Sequence, residues 1–139
     1  METLHLAGNI TIYNDTYNAN PQSMKAGLLT LSKAKGRRIA VLGDMFELGA
    51  LQEELHRSVG AYASALSIDI LVTVGKASAD MADEAAVHGL QDVRCCADKE
   101  EAKAVIEALA GPDTTWLFKA SRGMALEELV NYLQSRLQQ

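Results

Sequence analysis

Residues 38–49 read Arg38-Ile39-Ala40-Val41-Leu42-Gly43-Asp44-Met45-Phe46-Glu47-Leu48-Gly49. Ile39 to Leu42 is an unbroken apolar run with no polar alternation, the pattern of a strand covered on both faces. A glycine and two acids follow at once, so the chain leaves the strand into a polar loop rather than a hairpin. Ile70-Leu71-Val72-Thr73-Val74 and Trp116-Leu117-Phe118-Lys119 repeat the pattern, and Ile10-Thr11-Ile12-Tyr13 and Val93-Arg94-Cys95-Cys96 are shorter strand candidates.

Helical spacing fills the intervals. Met24, Leu28, Leu31 and Ala34 follow Pro21 at three- and four-residue steps, and Lys35-Gly36 predicts the stop. Further helices are expected over about Leu51–Leu66, with Leu51, Leu55, Val59 and Tyr62 inward, and over Ala77–His88, Lys99–Ala110 and Ala125–Leu137. Strand-helix alternation with short connections predicts one α/β domain over residues 1–139. It should be doubly wound around a mostly parallel sheet of five to six strands, with helices on both faces. The architecture is Rossmann-like, but no GxGxxG follows a strand.

Composition agrees. The chain has 139 residues, 48% hydrophobic and 22% charged, enough for a core without disulfides or metal. A net charge of −5 and 5% aromatics speak against nucleic acid as a partner. No run reaches the roughly 18–20 apolar residues of a membrane span, and Met1 to His5 lacks the layout of a secretory signal. Cys95 and Cys96 are adjacent, with no CxxC, which predicts a reducing setting and no metal site. P-loop and GxSxG motifs are absent.

Ligands of open α/β sheets bind beyond the carboxyl ends of the strands. Four polar loops should meet there: Asn14 to Pro21, Gly43 to Gly49, Gly75-Lys76, and Lys119-Ala120-Ser121-Arg122-Gly123. Their acids, amides, lysines and arginine suit a ligand with phosphate or carboxylate groups plus hydroxyls or an amine. Each piece also has a plain structural reading. Asp15 to Asn20 could be turn and cap chemistry before Pro21. Asp44 and Glu47 could be solvated acids, Lys119 could snorkel to water, Ser121 could cap the last helix, and His56 could simply pack. A phospho-receiver domain or a non-enzymatic binding module would use a similar frame.

Asn14-Asp15-Thr16-Tyr17-Asn18-Ala19-Asn20-Pro21 with Ser23-Met24 resembles the opening of Mur ligase C-terminal domains, in the form of the D-alanyl-D-alanine-adding branch. Val41 to Gly49 with His56 and Gly60, Val74-Gly75-Lys76, and Lys119 to Met124 with Leu126-Glu127 are similar to that branch in order and spacing. Ala120 departs from the glycine usual there. The resemblance implies an ATP-dependent amide-bond ligase of bacterial peptidoglycan synthesis, cytoplasmic and monomeric. It would join D-alanyl-D-alanine to a UDP-N-acetylmuramoyl tripeptide through an acyl phosphate. ATP and Mg2+ would be held mainly by a central ATPase domain outside these residues, as would the UDP-sugar by an N-terminal one. No catalytic residue and no metal ligand is expected here. The resemblance assigns Asp15, Tyr17, Asn18 and Asn20 to the nucleotide. It assigns Asp44, Glu47, His56, Lys119, Ser121 and Arg122 to the dipeptide side, with Arg122 or Lys119 taking the dipeptide's carboxylate.

Overall fold

A computed structural model describes residues 1–138. Six strands, β1 (Glu2–Leu6), β2 (Ile10–Asp15), β3 (Arg37–Gly43), β4 (Ile70–Val74), β5 (Val93–Cys96) and β6 (Thr114–Lys119), form one sheet in the order β1-β2-β6-β3-β4-β5. β1 pairs antiparallel with β2, and the rest are parallel. The five helices are α1 (Pro21–Ser32), α2 (Gln52–Ala65), α3 (Ser78–Val87), α4 (Lys99–Leu109) and α5 (Glu127–Leu137).

From β2 through β5 the chain travels one way across the sheet, and from β5 to β6 it returns to the middle. Right-handed crossovers put the helices of these two journeys on opposite faces. Accordingly Met24, Leu28, Leu31, Val59, Ala63 and Met81 pack with Ala40, Leu42, Leu71 and Leu117 on one face. On the other, Ala102, Ile106, Leu129, Val130 and Leu133 pack with Ile12, Ile39, Val41, Val72, Trp116 and Phe118. The central runs are apolar without alternation because both faces are dry. Trp116 and Phe118, two residues apart on β6, stack with centroids 5.8 Å apart.

Several sequence expectations shift. β1 was not anticipated. It is an edge strand with mostly exposed side chains, held by pairing to β2 rather than by burial. α1 ends at Ser32, short of Lys35-Gly36. A 3-10 turn at Gly49–Leu51 takes in Leu51, the expected first residue of α2, and a second at Arg122–Met124 precedes α5, which starts at Glu127 rather than Ala125. Leu51, expected inward, is 54% exposed because its turn precedes the helix. The methyl of Ala120 is fully buried and occupies space that Gly43 leaves open, where a Cβ would lie 2.8 Å away. No helix among the described residues is long and apolar enough to cross a membrane.

Candidate functional site

β2 and β6 are neighbours in register, so Asp15 and Lys119 end side by side. The Lys119 side chain is 2% exposed and its stem runs beneath α1 at Gly27, where a Cβ would stand 3.6 Å from Lys119 Cδ. Its Nζ donates to Asp15 Oδ2 at 2.7 Å and to the Asn18 carbonyl at 2.9 Å. A dry ammonium needs such partners. Lys119 therefore does not snorkel to water. It ties the first loop to the centre of the sheet.

The amides of that loop are largely structural. Asn20 is the N-cap of α1: its Oδ1 accepts from Ser23 N–H at 2.8 Å, and Ser23 Oγ accepts from Asn20 N–H at 3.1 Å. This is a reciprocal capping box. Asn18 Oδ1 accepts from Ala19 N–H at 2.9 Å. Tyr17 is 70% exposed, and the Arg122 guanidinium lies over its ring, Cζ 5.0 Å from the centroid. This is cation–π geometry.

The second loop is anchored at Asp44, Met45 and Phe46. Asp44 Oδ1 accepts from the N–H and Oγ–H of Ser78 at 2.8 and 2.7 Å, joining the loop to the start of α3. The Asp44 carbonyl accepts from Ser121 N–H at 3.0 Å. Met45 N–H lies 3.0 Å from His56 Nε2, and Phe46 N–H donates to Ser121 Oγ at 2.8 Å. The Phe46 ring covers Gly123, where a Cβ would lie 2.6 Å from it. Glu47 then takes φ +62°, a left-handed backbone that a side chain adopts at a cost. Its carboxylate stands exposed beyond the strand ends.

A cavity of about 250 Å³ lies between these loops, lined by Tyr17, Asn18 and Ala19, by Phe46 and Glu47, and by Ser121, Arg122 and Gly123. Three turns distant in sequence meet at the ends of β2, β6 and β3, the point where the direction of winding reverses. The structure thus brings Tyr17, Asn18, Glu47, Ser121 and Arg122 together. Asp15 opens instead on a separate hollow of about 220 Å³ between Met1 and α1. Asp44 and Asn20 hold backbone in place, and His56 and Lys119 are buried, so none of these four lines the groove. Phe46 was not singled out from sequence; an aromatic exposed in a polar loop just past a buried strand was the available signal. A larger concavity, about 530 Å³, lies over α2 and α3, but its Arg57 is engaged by Glu53, Asp80 and Glu84. No group of three or more His, Cys, Asp or Glu among the described residues could hold a metal ion. The groove offers one carboxylate, one guanidinium, one side-chain amide, two aromatic rings and the hydroxyls of Tyr17 and Ser121, a set suited to a small ligand bearing both charges.

The parallel strands, numbered among themselves, run 1-5-2-3-4. Receiver domains run 2-1-3-4-5, so that reading fails on topology. Comparison with known proteins agrees with the motif resemblance. A UDP-N-acetylmuramoyl-tripeptide–D-alanyl-D-alanine ligase of Bacillus subtilis is 41% identical over 136 residues, covering 96% of this chain and 30% of that protein. The Escherichia coli enzyme of the same name is 38% identical over 94% of this chain and 28% of its own length. The chain therefore spans under a third of these relatives. Among solved structures, a MurF of Acinetobacter baumannii superposes with a TM-score of 0.88 at 29% identity, over 96% of this chain and 30% of that one. The MurF ligase of Thermotoga maritima in complex with ADP shares the fold, with a TM-score of 0.81 over 98% of this chain and 30% of that one. The family profile for the Mur ligase glutamate ligase domain matches residues 1–122, and on that match the chain belongs to the Mur ligases.

Proposed function

We propose that this chain is the domain that closes the reaction cleft of an ATP-dependent ligase adding D-alanyl-D-alanine to a UDP-N-acetylmuramoyl tripeptide. The observation that carries the reading is the groove at the ends of β2, β6 and β3, where Tyr17, Glu47, Ser121 and Arg122 converge. In the reaction, the tripeptide carboxylate attacks the γ-phosphorus of ATP, releasing ADP. The dipeptide amine then attacks the acyl phosphate carbon, phosphate leaves, and the amine loses a proton. Two anions and an amine must be brought together without water, so positioning and charge placement supply most of the catalysis.

Arg122 is exposed and lies beside the exposed ring of Tyr17, ready to grip the dipeptide carboxylate through two parallel N–H bonds. Glu47, across the groove, holds the dipeptide's ammonium before that group gives up its proton. Ser121 fixes the wall between them. Asp15, steadied by Lys119, meets hydroxyls of the nucleotide at the second hollow, and Tyr17 and Asn18 meet the nucleotide from the groove. Asn20, Asp44, His56 and Lys119 act by holding these loops. Mg2+ would arrive with ATP, and no residue of this chain is assigned to it.

The test is steady-state kinetics in a ligase that carries this chain. Arg122→Ala should raise KM for D-alanyl-D-alanine about 10- to 100-fold, the worth of a lost charge-assisted bidentate contact, with KM for ATP unmoved. Asp15→Ala should show the reverse pattern, weakening ATP use and sparing the dipeptide. Unchanged dipeptide kinetics in Arg122→Ala would remove that residue from the site.

A further inference from the structure

His56 is completely buried on α2, and both ring nitrogens have partners. Nδ1 lies 2.8 Å from the Gln52 carbonyl, and Nε2 lies 3.0 Å from Met45 N–H. A carbonyl oxygen only accepts and a backbone N–H only donates. Nδ1 must therefore carry the proton and Nε2 must be bare. One helix residue thus sets the path of the second loop, whose next amide, Phe46 N–H, reaches Ser121 Oγ and whose preceding carbonyl, Asp44 O, takes Ser121 N–H. The imidazole thus holds Met45 between Asp44 and Phe46, the two residues whose backbones bond to Ser121 across the groove.

We propose that His56 is a positioning residue for the groove, acting as the Nδ1–H tautomer whose bare Nε2 fixes Met45 and, through it, Phe46, Glu47 and Ser121. The functional meaning rests on the ligase reading, but the latch itself can be tested without turnover.

Long-range proton–nitrogen correlation on the chain labelled with 15N-histidine should show Nε2 unprotonated, with a coupling across the hydrogen bond to the Met45 amide. An Nε2–H tautomer overturns the proposal. His56→Leu removes the acceptor and leaves a buried N–H unpaired, so hydrogen exchange at Met45 and Phe46 should quicken about tenfold or more. Val41 and Val72 should keep their rates. His56→Gln, whose Oε1 can stand near the place of Nε2, should restore slow exchange at Met45. Equal protection at Met45 in all three proteins also overturns the proposal. Should His56→Leu fail to fold, the tautomer and the His56→Gln rates still decide. A released loop together with unchanged dipeptide KM would support the latch and count against the ligase reading of the groove.

Discussion

A methyl group at Gly75 would stand 2.5 Å from Asp44 Oδ1, on a backbone at φ +116° that L side chains rarely adopt. Both faults lie where Asp44 reaches past β4 to Ser78. Gly75→Ala should destabilise the chain by about 2–4 kcal/mol, read as a lower urea midpoint with unchanged slope. It should also loosen the Asp44–Ser78 contact, seen as faster exchange at the Ser78 amide. Single residues were the hardest to read from sequence. The loop after the first predicted strand was recognisable as a polar site. Which of its side chains serve the backbone and which face outward was not, because Asp15, Asn18 and Asn20 can all serve as turn or cap residues before Pro21 and only the folded path of the loop separates them. From sequence, Lys119 reads either as a strand-end lysine bound for water or as a partner of the dipeptide's carboxylate. Its fate depends on registry with Asp15 and on the missing side chain of Gly27, facts that belong to three separate elements.

Among elements, the contact of α2 with α3 turns on Gly60, where a Cβ would lie 2.1 Å from the Met81 carbonyl oxygen. That obstacle is backbone inside a helix and cannot rotate away. Gly60→Ala should push the two helices apart and cost about 3 kcal/mol or more, measured by denaturant melts, while leaving the β2–β6 side of the sheet intact by hydrogen exchange. β5 offers a pH test. Burial, with Glu101 adding to it, pushes the Cys96 thiol up from its ordinary 9.0 to about 11. The unfolded chain then ionises first. Stability held below pH 9 should decline as pH rises from 9 toward 11, because the unfolded state binds fewer protons over that window. A Cys96→Ala variant should lose this slope when urea midpoints are compared at about pH 8 and about pH 10.5. Elements were legible where burial writes the sequence: the apolar runs of β3, β4 and β6 and the Met24, Leu28 and Leu31 stripe of α1 stand as read. β1 was not, since its stability comes from ladder bonds to β2 and its side chains carry little of the burial signal.

For the molecule as a whole, topology decides what the groove can do. Strand order could not be read from sequence, yet it is the order β2-β6-β3 that gathers Tyr17, Ser121 and Glu47 around one cavity. The expected convergence holds for three of the four loops, because the last strand returns to the middle of the sheet; Gly75-Lys76, at the end of β4, does not line the cavity. A groove of about 250 Å³ has room for a dipeptide-sized ligand but not for ATP and a tripeptide together, and on the proposed reading it is half of a cleft. The sequence also has no P-loop to cradle triphosphate. Supplied with ATP, UDP-N-acetylmuramoyl tripeptide and D-alanyl-D-alanine, these 139 residues alone should release no ADP above background in a coupled assay. Transition-state contacts need both walls, and water would reach any acyl phosphate formed in an open groove. Steady ADP release would mean that the groove works unaided, and the closing role would have to be given up.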